Sequence, residues 1–387
     1  MFEFFKPSSH REAALSLPET KSSQPLVALQ LSGGAHWTPH NFSALCREGF
    51  ARNPIVYRCV RLIAEAAASV PFKTEHESVA VFLSRAPQAS SATETLESFY
   101  GFLQLSGEAY FELQRVGGQP VLMRALCPEH VTSLPNKIGV ANVWDVTRAN
   151  GQTSRLRADM ASGRAPLYHA CLFSPQTQVS PLQAAAQAVD LHNEGGRWAK
   201  ALLENSARPS GALIYKGAGG ADHLSEEQFE RLKSELENSH SGARHAGRPL
   251  VLEGGLDWTS MSLSPTDMDF IQARREAARD IALAFGVPPM LLGLPGDNTY
   301  ANYREANQAF WRQTIIPLVQ KTALGLQNWL GPWFDASVSV SPDLEKVPAL
   351  TEDRTALWQR LSQADFLSND EKRVLAGLPL TPLGATK

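Results

Sequence analysis

FIQARREAARDIALAFGVPPMLLGLPGDNTYANYREANQAFWRQTIIPLVQ, residues 270–320, sets out a helix, a hard stop, a loop and a second helix. The first helix closes at Gly286, a residue suited to a left-handed C-cap, and Val287-Pro288-Pro289 prevents its continuation. MLLGLPGDNTYAN, residues 290–302, then reads as a Gly/Pro loop with an apolar front. A long helix follows from about 300 to 330, with Tyr303, Phe310, Ile315, Leu318 and Leu326 among its apolar residues. Pro317 lies inside it; lacking an N–H and crowding the preceding turn, it predicts a kink near residue 313 or a break.

Three helix starts upstream are built alike: Ser180-Pro181-Leu182-Gln183, Ser225-Glu226-Glu227-Gln228 and Ser264-Pro265-Thr266-Asp267. In each, a serine can cap the N–H three residues on, and two of them place proline at the first helical position, where no N–H is needed. The helices predicted at about 181–205 and 265–285 flank alternating segments, SGALIYK, RPLVLE and LDWTSMSL, and a short helix in SEEQFERLKSELENS. A helix leaving one body, a small α/β tip and a helix returning make a hairpin-like protrusion. At about 1.5 Å per residue, each long helix spans roughly 30 to 37 Å. Gly195-Gly196 should soften or kink the outgoing one.

Nearer the start, NPIVYRCVRLIAEAAASVPF puts Ile55, Cys59, Leu62, Ile63 and Ala66 at helical spacing, with Arg58, Arg61 and Glu65 facing elsewhere. A second helix over 93–105 precedes GEAYFELQRV and QPVLMRALCP, antiparallel strands joined at Gly117-Gly118. Residues 140–173 continue in that style, with a turn at Asn150-Gly151. Residues 1 to about 50 show little periodicity and are expected to form an extended or mobile arm without a core. At the other end, a strand at 336–340 and two short helices are expected, the second starting at the capping box Ser368-Asn369-Asp370-Glu371 and ending at Gly377. The whole is an α+β protein without internal repeats.

With 387 residues, 43% apolar and 19% charged, the chain can bury a sizeable core and divide into two or three domains. It holds no apolar run long enough for a membrane span, and MFEFFKPSSH lacks the form of a signal peptide, so a protein made in the cytoplasm is expected. The balance of 36 basic against 39 acidic residues argues against a tight grip on nucleic acid; it leaves open both a conduit through which DNA slides and no DNA contact at all. No GxxxxGK[ST] loop, HExxH, GxSxG or SxxK constellation occurs. Cys46, Cys59, Cys127 and Cys171 are widely separated, read as buried free thiols, and suggest no Cys/His ligand cluster. His36 and His40 have helical metal spacing, but Pro39 and Gly33-Gly34 argue against a helix there. Glu226 and Glu227 read as first-turn carboxylates on the positive end of a helix dipole. The expectation is therefore no catalysis, no cofactor and no metal. Arg274, Arg275, Glu276, Arg279 and Asp280 form a charged helix face, solvated in a lone subunit but able in a ring to meet neighbours or a channel.

Four segments taken in order, NPIVYRCVRLIAEAAASVPF, SPLQAAAQAVDLHNEGGRWAKALLENSARPSGALIY, the 270–320 stretch and LSNDEKRVLAGLPL, resemble the portal proteins of long-tailed phages. The likeness runs over about residues 50–380 and is greatest to the compact portals of alphaproteobacterial prophages and gene transfer agents. It implies a ring, a dodecamer, at one capsid vertex of a virion or phage-like particle, packaging, retaining and ejecting double-stranded DNA. The terminase motor, the head-tail adaptor with its tail, and the major capsid protein are its implied partners. It also implies an arm (1–50), a first wing part (51–178), stem helices in 179–206 and 264–286, a clip (207–263), a tunnel loop, kinked helix and second wing part (287–345), and a small helical crown (346–387). Leu291, Leu292, Leu294, Asp297 and Asn298 would be the tunnel-loop residues facing DNA; Arg274, Arg275 and Arg279 would lie on a channel or inter-subunit face. The chain is short for that family, which implies a reduced crown. The rival readings are a non-ring head-tail structural protein and a cytosolic enzyme with an unrecognised site.

Overall fold

Asn53 starts the first long helix twice over: its side-chain oxygen accepts from the N–H of Ile55 at 3.0 Å and of Val56 at 3.2 Å, and Pro54 fills the first helical position. The resulting helix α2, Pro54–Ala68, follows a short α1, Phe42–Leu45. The structure is a computed structural model that describes residues 37–87, 90–135, 141–173, 179–204, 211–215, 256–260, 270–295, 299–334 and 338–376, with four positions between 227 and 234. On α2 the buried stripe is Val56, Cys59, Val60, Ile63, Ala64, Ala67 and Ala68, wider than the spacing of Ile55, Leu62 and Ala66 alone suggests. Those three pack partly buried at its margin, and Arg58 and Arg61 point outward, Arg61 pairing with Glu65 one turn on.

After α3, Glu77–Ser84, helix α4, Ala92–Ser106, opens on a capping box between Ser91 and Glu94 and closes at Gly107, whose φ of 81° is left-handed. The chain then enters β2, Glu108–Val116, the centre of an antiparallel sheet ordered β3-β2-β7, with β3 Gln119–Leu126 and β7 Leu167–Cys171. The Gly117-Gly118 turn joins β2 to β3 as the sequence predicts, both glycines having positive φ. Both faces of β2 are buried. Ala109, Phe111 and Leu113 face the helical core, while Tyr110 belongs to a second cluster with Leu126, Val131, Trp144, Val146 and Leu167. That second layer comes from the sheet β4-β5-β6, Val131–Pro135, Ala141–Thr147 and Thr153–Arg157. The turn at Asn150-Gly151 is present, with Gly151 at φ 78°.

The helical core is packed by α2, α4 and the C-terminal helix α9, Ile316–Phe334. Phe99 stacks on Phe111 with centroids 4.0 Å apart, and Tyr168 lies between that pair and Trp329. Gly325 on α9 admits the Tyr168 ring: a Cβ there would stand 1.9 Å from the phenol oxygen and 2.5 Å from Cζ.

The 270–320 stretch folds largely as its sequence instructs. Helix α7, Phe270–Ala284, ends at Gly286 with φ 65°; Val287 N–H donates to Ala282 O and Gly286 N–H to Leu283 O, a Schellman closure. The helix predicted over 300–330 is α8, Tyr300–Phe310, then a π-helical segment Trp311–Ile315, then α9. Pro317 thus takes effect as a widened turn at 311–315, which relieves the carbonyls its missing N–H would leave unpaired. The outgoing helix is interrupted at Ala185, between α5, Pro181–Ala184, and α6, Ala186–Glu204; α6 runs through Gly195-Gly196 without a break. Ser180 caps α5, its oxygen accepting from Gln183 N–H at 2.9 Å. The starts predicted at Ser225 and Ser264 lie outside the described residues. Between α6 and α7, β8, Gly211–Tyr215, pairs antiparallel with β9, Leu256–Ser260.

Two expectations need correction. Residues 37–50 are not a coreless arm: α1 and a π segment, Cys46–Phe50, bury Ala44, Leu45 and Gly49. The strand expected at 336–340 is not found in its described part, 338–340; the pairing comes just after it, Ser341–Pro342 (β10) against Phe72–Lys73 (β1), although Val338 and Val340 are buried. The terminal helices α10, Thr351–Ser362, and α11, Asn369–Leu375, are present, with Ser368 and Glu371 forming the capping box.

Candidate functional site

The long helices α6 and α7 pack side by side, and a polar network fastens α6 to the body at its root. Asp190 accepts from the Thr38 backbone N–H at 2.8 Å and from its hydroxyl at 2.5 Å. The Asn53 amide nitrogen lies 3.2 Å from His192 Nδ1 and donates to Asn193 Oδ1 at 3.0 Å; Asn193 in turn donates to Glu48 O. One asparagine therefore starts α2 and binds it to α6. Burial, aided by the nearby Arg274 guanidinium, holds the His192 pKa below its usual value.

The structure separates the three arginines singled out on α7. At 100° per residue, Arg274 continues the stripe of Ala277, Ala278 and Ile281, and its Cβ and Cδ lie 3.9 Å from where Gly195 would carry a Cβ. It faces α6. Arg275 and Arg279 point the other way, beside the 78% exposed Leu283. Arg279 bonds Glu276 at 2.8 Å and reaches Pro295 O at 3.0 Å, tying α7 to the loop beyond it.

In that loop, Pro289–Leu292 forms a 3-10 turn capped by Gly293 at φ 71°. Leu291 and Leu292 are half-buried against the helical core, Leu294 is half-buried, and Asp297 and Asn298 lie outside the described residues. Large apolar groups stand exposed on α6, α7, α8 and α10 and on the turn after α10: Leu191, Ile271, Leu283, Tyr300, Trp358 and Phe366.

Sequence reasoning missed two ionic clusters at opposite ends of the layer between the sheets. At one, Glu112, with a side chain 6% exposed, accepts from Arg148 at 2.5 and 2.7 Å and from Arg124 at 2.7 Å. Burial alone would raise its pKa, but the two guanidiniums outweigh it and hold the carboxyl below its ordinary value. These residues line an open groove of about 740 Å³. At the other end, Glu108, His169 and Cys171 meet. His169 Nε2 lies 2.8 Å from Glu108 Oε2 and 3.2 Å from Cys171 Sγ, correcting the expectation that no cysteine joins a histidine cluster. Burial opposes protonation of His169, but the thiol and carboxylate prevail and raise its pKa to about 9. The available signal was the alternation His169-x-Cys171, which puts both side chains on one face of β7.

A family model described as "Phage portal protein" matches residues 54–377. A protein of Rickettsia bellii (strain RML369-C), described as uncharacterized, is 38% identical over 344 residues, covering 86% of this chain and 88% of its own. The chain is also similar to one in the solved neck of the native GTA particle computed with C12 symmetry: 46% identity and a TM-score of 0.69, over 90% of this chain and 97% of that one. The portal protein of Enterobacteria phage HK97 is 23% identical over 348 residues, 85% of this chain and 79% of its own.

Proposed function

This chain belongs to the phage portal protein family, and on that premise we propose that copies of it close into a ring at one vertex of a virion or gene-transfer-agent-like particle, forming the channel for packaging double-stranded DNA. Its work is structural. The observation that carries the ring is the pair α6 and α7, which pack on each other yet leave Leu191, Ile271 and Leu283 exposed. A face that does not complement itself, repeated about an axis, buries such groups on every subunit and closes without loose ends. The likeness to a neck computed with C12 symmetry supports twelve copies.

Within that ring we assign α6 and α7 to the stem, residues 207–263 to the clip, 51–178 and 287–345 to the wing, and residues from 346 to the crown. The tunnel loop is placed at 290–300. Leu291 and Leu292 seat its first turn against the core, so the contact with DNA falls to Leu294 and, on sequence alone, to Asp297 and Asn298. Arg275 and Arg279 take the channel or inter-subunit face, while Arg274 serves the packing of the two stem helices. A tunnel loop with no Lys or Arg over 291–298 restrains the duplex by shape, keeping phosphate contacts few and sliding easy. The clip is the expected seat of the terminase motor during packaging and of the head-tail adaptor afterwards, with the capsid protein around the wing.

Native mass spectrometry with electron-microscope class averages down the axis tests the proposal. A closed ring with a channel wide enough for duplex DNA is expected. A compact dimer, persisting when the chain is co-expressed with its capsid protein, overturns it.

A further inference from the structure

The Glu108–His169–Cys171 cluster has no part in the portal reading, and its geometry is unlike that of a buried ion pair formed by chance. The antiparallel register fixes it: Glu108 on β2 stands opposite Cys171 on β7, and Tyr110 opposite His169, so all four side chains project from the same face of the sheet. The three ligand atoms lie within 4.8 Å of one another, and the side chains of His169 and Glu108 are only 12% and 13% exposed.

A nucleophilic triad is excluded by the contacts themselves. Such a triad needs the carboxylate on one ring nitrogen and the thiol on the other, so that a proton passes through the imidazole. Here carboxylate and thiol both meet Nε2. Three donor atoms of mixed type converging on one point is the arrangement of a cation's ligands.

We infer that Glu108, His169 and Cys171 bind a divalent zinc ion that clamps β7 to β2 at the end of the wing sheet. Nitrogen, sulfur and carboxylate oxygen together suit borderline-soft Zn²⁺ rather than Mg²⁺ or Ca²⁺, which prefer oxygen alone. Tetrahedral zinc with ordinary bond lengths separates N from O and N from S by roughly 3.4 to 3.6 Å. The two contacts to Nε2, at 2.8 and 3.2 Å, have to open by about 0.4 to 0.6 Å. The ring of Tyr110 stacks on His169 with centroids 4.5 Å apart, and its hydroxyl donates to Glu108 at 3.0 Å while meeting Ser133 at 3.1 Å. Those contacts orient two of the ligands from outside the coordination sphere, as supporting residues of metal sites do. On binding, the thiol and the imidazolium each release one proton to solvent, leaving thiolate and neutral imidazole as ligands; water completes the tetrahedron.

The test uses the untagged full-length chain, purified without chelator from zinc-supplemented cells, beside Cys171→Ser, His169→Gln and the control Cys59→Ser, whose thiol lies in the helical core. Plasma mass spectrometry should find about one Zn²⁺ per chain in the wild type and Cys59→Ser, with uptake falling more than about tenfold in the other two. Replacing the metal with Co²⁺ should give a thiolate-to-cobalt charge-transfer band in the wild type, absent from Cys171→Ser. A wild-type chain that takes up no more Zn²⁺ than Cys171→Ser, or that shows no such band with Co²⁺, overturns the inference. The cobalt spectrum decides on the wild type alone if the variants do not fold.

Discussion

Replacing Glu112 by glutamine should weaken the two-sheet layer in a way that depends on pH. The carboxylate is nearly buried and accepts three charge-assisted hydrogen bonds, two from Arg148 and one from Arg124. Removing one partner of a fully buried pair costs about 3–5 kcal/mol. Here Arg124 and Arg148 are 43% and 26% exposed, so both can turn partly to water, and about 2–4 kcal/mol is expected. The Glu112 pKa in the folded chain lies below the ordinary value of 4.5, so its contribution is complete above that pH and is lost as pH falls through the lower folded value. Glutamine does not titrate. Urea unfolding at neutral pH should therefore show a large gap between wild type and Glu112→Gln, and the gap should shrink steadily below pH 4.5. An equal gap at both pH values, or none at neutral pH, refutes the assignment of the two arginines as the carboxylate's partners.

Other consequences follow from single contacts. Gly325→Ala gains about 1 kcal/mol of helix propensity but drives a methyl into the wedged Tyr168 ring, for a net loss of about 1–2 kcal/mol in urea unfolding, whereas Gly196→Ala meets nothing within 4 Å and should stabilise by up to about 1 kcal/mol. Asn53→Asp keeps the helix cap but removes the amide donor to Asn193, and should cost about 1–3 kcal/mol in the same assay; Asn53→Ser tests the cap with the donor also altered. Leu283→Asp should leave the subunit's melting temperature nearly unchanged while lowering the ring fraction in native mass spectra, because Leu283 is exposed on α7.

The fold was legible wherever one residue carries a local instruction. Asn53-Pro54, Ser180-Pro181, Gly117-Gly118 and Gly286 each state a cap or a turn, and each is found in place. Residues 37–50 were misread because a π segment at Cys46–Phe50 shifts the phase of the apolar residues, so Leu45 and Phe50 never fall into a 3.6-residue period. The Pro317 signal gave the position of the irregularity but not its form, since a missing donor is met equally by a kink or a widened turn. The two ionic clusters were out of reach for a different reason. Glu108 and His169 are 61 positions apart, and Glu112 and Arg148 are 36 apart; only the pairing of β2 with β7 and the stacking of the two sheets bring them together. The division of labour among Arg274, Arg275 and Arg279 likewise needed the position of α6.

The π segment at 311–315 has a consequence for how the protein couples its inside to its outside. One residue more than an α-helical turn advances the helical phase by about 100°. Along α9 the buried stripe follows the core through Leu318, Thr322, Leu326 and Trp333, while α8 ahead of it buries Phe310 and aims Tyr300 and Tyr303 outward. Deleting one residue there would restore plain α-helical geometry and turn α8 by about 100° relative to α9, swinging Tyr300 and Tyr303 off their present bearing.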